Sequence, residues 1–205
     1  MLDPVTEVRN SLPASASAHG PPDLLLIERA RAGDARSIET LLRRYVQRLF
    51  RIARSALGDE QAAESAVQET CVVAFDELRR HEPAGKLAVW LTRAALEQVQ
   101  ARRETQPAAR PAPVYRHPLE PAIDALPDVF RTVFVLRVVE GISGIETAAA
   151  LGLNVTTVRT RLYRAHRRLS GGATLQASQG VFELDGARLE RIVAEVLQRL
   201  HPRSA

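Results

Sequence analysis

The chain is 205 residues long, 45% hydrophobic but only 4% aromatic, with a formal net charge of +4. That length supports one large domain or two small ones, and a single cysteine, Cys71, excludes an internal disulfide and a cysteine-rich zinc site. No run approaches the roughly 18 apolar residues of a membrane span, and the N-terminus lacks a basic-then-apolar leader pattern, so a soluble, cytoplasmic chain is expected.

Residues 1–22 are rich in Pro, Ser and Ala without periodicity, which predicts a disordered tail. A helical domain is expected over 23–104. Within it, Leu41, Tyr45, Leu49, Ile52 and Ala56 recur at spacings of three and four, the buried stripe of an amphipathic helix. Gly58 stops that helix and Asp59 is placed to cap the next. The next helix has a core stripe of Ala63, Val67, Cys71, Ala74 and Leu78; the opposite face carries Gln61, Ser65, Gln68, Glu69, Val72 and Asp76. After "EPAG" the segment "KLAVWLTRAALEQVQARR" resumes a helix, with Trp90 as core anchor.

Residues 105–118, "TQPAARPAPVYRHP", hold four prolines and predict an extended linker. A second helical domain is expected over 119–172, with Pro127 in a first helical turn and Phe130, Val133, Phe134 and Val138 in its core. A C-terminal extension, 173–205, carries one more amphipathic stripe of Leu189, Ile192, Val193, Val196 and Leu200. The fold class that follows is all-α, two small helical domains joined by a Pro-rich linker, plus a C-terminal amphipathic helix.

The second domain contains a helix-turn-helix signature. Ser143 and Glu146 have the spacing of a capping box, and Ile145, Ala148, Ala149 and Leu151 are expected to pack the helix they open. Gly152 supplies a left-handed turn, Leu153 plugs the core and Asn154 caps the following helix. In "NVTTVRTRLYRAHRRL", Val155, Val158, Leu162, Ala165 and Leu169 share the expected buried face. Thr156, Thr160, Tyr163, Arg164 and Arg167 lie opposite, with Thr157 beside them at the helix start and Arg159, Arg161 and Arg168 on the flanks. The stretch holds five arginines and no acid. A solvated basic helix ordinarily interleaves Glu with Arg, so this composition points to nucleic acid: short threonines admit base edges, and arginines bond guanine or phosphate.

Taken in order, "AESAVQET", "VWLTRAAL", the Pro-rich linker and "AIDALPDVFRTVFVLRVVEGISGIETAAALGLNVTTVRTRLYRAHRRL" resemble the extracytoplasmic-function sigma factors, the two-domain initiation subunits of bacterial RNA polymerase. The resemblance covers about residues 24–170, and the closing "DGARLERIVAEVLQRL" is similar to an extra helix carried by some members. It implies that the first domain binds the polymerase clamp through Ser65, Gln68, Glu69 and Val72, and handles the downstream promoter element through Lys86, Trp90, Arg93 and Glu97. The second domain would then read the upstream, minus-thirty-five element. The implied partners are the polymerase core and promoter DNA, with room for an anti-sigma factor and none for a small-molecule substrate, cofactor or metal. The chain departs from the family pattern at Ser65, where an aspartate is usual, at Glu97 in place of an asparagine, and at Lys86, Val89 and Ala101.

Two other classes bear on the same residues. A helix-turn-helix regulator that works without polymerase would dimerise, with the terminal helix 186–200 as its dimer element. An enzyme would need a constellation that the five histidines do not supply: no HExxH, GxSxG or phosphate-binding glycine loop is present. On this reading His166 is solvated or a phosphate neighbour, and Glu60 and Glu64 are ordinary helix decoration.

Overall fold

The structure is a computed structural model and describes residues 21–81, 83, 85–105, 113–169 and 178–201. The expected disordered tail therefore lies outside the described residues except at Pro21 and Pro22, and so does the expected linker from 106 to 112. The regular structure of the described residues is helical, without a strand.

Four helices build the first domain: α1 (Asp23–Arg31), α2 (Ala35–Leu57), α3 (Glu60–Arg80) and α4 (Leu87–Thr105). Each junction is written locally. The Asp34 carboxylate accepts from the Arg36 amide at 3.1 Å and from the Ser37 hydroxyl at 2.6 Å, which opens α2. Gly58, at φ 74°, closes it in the left-handed region, and Asp59 accepts from the Ala62 amide at 2.6 Å to start α3. The predicted stripes of α2 and α3 are all buried, and Cys71 is a core hydrophobe whose thiol is pushed up to about 12 by burial. Trp90 is half-buried and packs against this core rather than anchoring its centre.

The second domain comprises α5 (Glu120–Asp124), α6 (Asp128–Phe134), α7 (Gly144–Leu151) and α8 (Val155–Arg168). Pro127 sits one position before α6, as its N-cap, rather than inside the first turn. Helix α6 runs into a π-helical turn, Val135–Val139, whose carbonyl at Val135 accepts from the Glu140 amide at 2.9 Å. The extra residue per turn aims Val135 and Val138 at the second domain's core and Leu136 at the first domain.

The domains are packed together. Ile52 of α2, Leu136 and Ile142 are buried in one cluster, with Leu96 and Leu151 against it. Around that cluster Arg48 and Arg51 pair with Glu140 at 3.0 and 3.1 Å, Arg54 with Asp124 at 3.2 Å, and Arg103 with Asp128 at 2.8 Å. Arg131 reaches back across the boundary to donate to the Ser55 carbonyl at 2.7 Å.

The last helix, α9 (Gly186–Leu200), lies on α2 and α3. Ile192, Val193, Val196 and Leu200 are buried there, and each aliphatic side chain so covered contributes about 1.5–3 kcal/mol. Its apolar stripe is therefore occupied within the chain. The expectation that this helix forms a dimer element fails for that reason.

Candidate nucleic-acid interface

The helix-turn-helix is assembled by its caps. Ser143 accepts from the Glu146 amide and Glu146 accepts from the Ser143 amide, both at 3.2 Å, closing the capping box. Gly152, at φ 63°, makes the left-handed turn, and the Asn154 side chain accepts from the Thr157 amide at 2.7 Å. Val133, Ala148 and Val158 form the small core that fixes the angle between α7 and α8, with Leu151, Leu153 and Leu162 around it.

Three apolar residues depart from the expected pattern. Ile145 is 73% exposed and Val155 47% exposed, because each stands in the first turn of its helix, beyond the point where α7 and α8 converge. Ala149 is exposed as well; Thr147, Ala148 and Ala150 are the buried face of α7.

The outward face of α8 is where the pattern places it. Thr156, Arg159, Thr160, Tyr163, Arg164, Arg167 and Arg168 are exposed, while Thr157 and Arg161 are half-buried. Among the described residues, Arg159, Arg161, Arg164 and Arg168 make no ion pair. Arg168 lies over the Phe130 ring at 5.6 Å, so its guanidinium is tethered to the domain's own surface. His166 stands edge-on to Phe134, 5.7 Å between centroids at 73°, and burial lowers its pKa. The residue is nonetheless exposed, which agrees with the solvated alternative read from the sequence. Such a face, short and hydroxylated at its start and cationic along its length, fits the major groove of duplex DNA.

The other two predicted surfaces are engaged within the chain. On α3, Ser65, Gln68 and Val72 are half-buried and Glu69 is exposed. Gln68 donates to Glu195 of α9 at 2.5 Å, and Glu69 meets Arg102 at 3.4 Å. Glu60 and Glu64 are not decoration: Glu64 is buried, accepting from Arg191 at 2.7 Å and meeting Arg188 at 3.2 Å, while Glu60 pairs with Arg188 and with Arg116 at 3.0 Å. Just before α4, Lys86 pairs with Glu146 at 2.8 Å, and Arg93 of α4 donates to the Ala149 carbonyl at 2.7 Å, so both touch α7. Glu97 is exposed on the same helix.

Comparison with known proteins finds a match for each domain. A family model described as Sigma-70 region 2 matches residues 41–106, and one described as Sigma-70, region 4 matches residues 116–169. The solved structure of CnrH, in complex with the cytosolic domain of CnrY, is 31% identical, covers 72% of this chain and 94% of that one, and superposes with a TM-score of 0.60. The chain belongs to the sigma-70 family of RNA polymerase sigma factors, in its extracytoplasmic-function branch. The ECF RNA polymerase sigma factor SigE of Mycolicibacterium smegmatis is 30% identical over 155 residues, 65% of this chain and 60% of SigE. The RNA polymerase sigma-H factor of Pseudomonas aeruginosa is 26% identical over 176 residues, 72% of this chain and 91% of that protein.

In this sigma factor the region 4 match ends at Leu169, the C-cap of α8, and the region 2 match begins within α2. Helix α9 and the segment before it lie outside both matches. Among the described residues no group of metal-ligating side chains occurs, and no helix is long and apolar enough to cross a membrane.

Proposed function

We propose that this sigma factor brings the polymerase core to promoters through three surfaces of its own. Helix α8 enters the major groove of the upstream element, with Thr156 and Thr160 close to base edges and Arg159, Arg161 and Arg164 bonding guanine edges or phosphates. The face of α3 that carries Gln68 and Glu69 docks on the polymerase clamp, and the face of α4 that carries Lys86, Trp90 and Arg93 handles the downstream element. The domain division is 23–104 and 119–172, joined by the Pro-rich segment. The role is one of binding rather than catalysis, in the cytoplasm, and a protein partner of the anti-sigma kind belongs to the same proposal, since CnrH was solved with the cytosolic domain of CnrY.

The observation that carries the reading is the acid-free face of α8, presented by a doubly capped helix-turn-helix next to a region 2 domain. Five arginines within one acid-free helix cost self-repulsion, which release of condensed counterions from phosphates offsets. The second reading, a regulator acting alone as a dimer, loses its dimer element to the intramolecular seat of α9.

The test is transcription in vitro from a genomic fragment library with purified chain and core polymerase. The reading expects initiation at a discrete set of sites sharing an upstream element. Specific DNA binding with no initiation and no co-migration with core would refute it in favour of the lone regulator.

A further inference from the structure

Residues 178–201 touch both sigma domains at once. Val181 and Phe182 are buried in the second domain's core with Ile123 and Phe134, while Leu184 and α9 are buried in the first domain's core. Between these anchors the segment is gripped by α2: Gln47 donates to the Phe182 carbonyl at 3.2 Å and accepts from the Leu184 amide at 3.0 Å, and Arg51 donates to the Val181 carbonyl at 3.1 Å. Phe182 holds a left-handed backbone, φ 50°, uncommon for a side chain of that size, while its ring stacks under the Arg54 guanidinium at 4.9 Å. The segment is a strap with two apolar ends.

The strap's helix seats itself on the acidic edge of α3. Arg188 and Arg191 meet Glu60 and Glu64, and Glu195 takes the Gln68 amide. With the domains so held, Lys86 just before α4 and Arg93 within it stay against α7.

We propose that residues 178–201 form an intramolecular clasp that closes the two domains and competes with the polymerase for the α3 face at Gln68. The inference rests on the polymerase-binding reading above. Binding to core requires α9 to leave, and the face it uncovers, with Glu60, Glu64 and Gln68 beside the already exposed Glu69, then suits a basic partner surface. Apparent affinity for core is reduced by the fraction of molecules that are clasped, so weakening the clasp tightens binding.

The experiment measures binding of the full chain to purified core by fluorescence anisotropy for the wild type, R188E/R191E and R199E, the last a charge change on α9 at a residue outside the Glu60–Glu64 contact. R188E/R191E places acids against acids, and is expected to bind core about tenfold more tightly, with R199E unchanged. Equal or weaker binding by R188E/R191E, with a native-like helical melt, overturns the clasp. Should R188E/R191E fail to fold, hydrogen exchange on the wild type decides: loss of α9 protection on adding core, with α2 still protected, supports the clasp, and retained protection of α9 overturns it. Core binding by R188E/R191E but not by wild type also supports it. Failure of both to bind core overturns the polymerase reading itself, and the competition with it.

Discussion

The Arg54–Asp124 pair offers a test of how the two domains are held. Arg54 in α2 is 2% exposed and Asp124 in α5 is 14% exposed, with 3.2 Å between them. The pairing is incomplete, since the second Arg54 nitrogen, Nη2, and Asp124 Oδ1 have no hydrogen-bond partner. Burial lifts the Asp124 carboxyl above the ordinary aspartate range, with the Arg54 charge pulling it back only in part. Removing one partner of a fully buried pair costs about 3–5 kcal/mol, because a charge is stranded. Asp124→Ala strands an arginine that cannot shed its proton, and the residual solvent at Asp124 places the cost near the lower end, about 2–3 kcal/mol. Arg54→Met keeps apolar bulk over Phe182 and strands a carboxyl that can take up a proton, so it costs less, about 1 kcal/mol. The double variant should lie close to the wild type, with a coupling of roughly 1–2 kcal/mol. The sign with pH follows from the direction of the shift. A carboxyl whose folded pKa is raised binds protons preferentially in the fold, so its contribution is fully present at low pH and is lost as pH rises through the folded value. The deficit of Arg54→Met should therefore shrink on going from pH 7 to pH 5, while that of Asp124→Ala should not. Urea melts of the three variants at both pH values provide the measurement. An Asp124→Ala deficit below about 0.5 kcal/mol, or one smaller than that of Arg54→Met, would refute the reasoning.

Arg164→Ala should weaken binding to a matched upstream duplex by about 1–3 kcal/mol and relax preference at one base position. Arg168→Ala should weaken all duplexes alike and lower the salt slope by about one counterion, with a smaller loss than for an untethered arginine because Phe130 already holds its guanidinium; a salt series on matched and substituted duplexes separates the two. Glu69→Ala should reduce core binding in a pull-down without moving the melt, and it is a cleaner probe than Gln68→Ala, which also loosens α9. The Glu146 carboxyl is held below the ordinary glutamate range, first by Lys86 and then by Ser143. Its contribution is therefore present above pH 4.5 and lost as pH falls through the folded value, so energy transfer between dyes on α4 and α8 should report looser domain contact in acid, and less of that change in Glu146→Gln.

The helices and their caps were legible in the sequence because each rests on local chemistry. Asp59, Ser143, Glu146, Gly152 and Asn154 act within three or four residues of themselves, and no distant contact overrides them. The stripes of α2, α3 and α9 were legible for the same reason, since 3.6-residue spacing fixes which residues share a face. What covers a face is a tertiary fact. Ile145 and Val155 fit their stripes by spacing yet stand exposed at helix starts, beyond the reach of the facing helix. The run "VFVLRVV" is apolar in every register, so the π-helical turn that sends Leu136 to the first domain leaves no trace in its pattern. Glu60 and Glu64 showed as helix decoration because their partners, Arg188 and Arg191, lie more than a hundred residues away.

Charge placement separates the surfaces that face inward from the one that faces out. Subtracting the five arginines of the stretch 154–169 from the net charge of +4 leaves the rest of the chain at −1, near balance. Much of that balance is realised in space: Arg48, Arg51 and Arg54 of α2 find Glu140 and Asp124, and Arg188 and Arg191 of α9 find Glu60 and Glu64. An arginine paired inside the fold gains nothing from a polyanion, because binding one would break a pair already made. Among the described residues, Arg159, Arg161, Arg164 and Arg168 of α8 have no such ion pair to lose, and their helix face is turned outward while the α3 and α4 surfaces are occupied by α9 and α7. On the clasp proposal, the closed protein meets upstream duplex before it opens, and the energy for opening comes from the polymerase as it takes the α3 edge from α9.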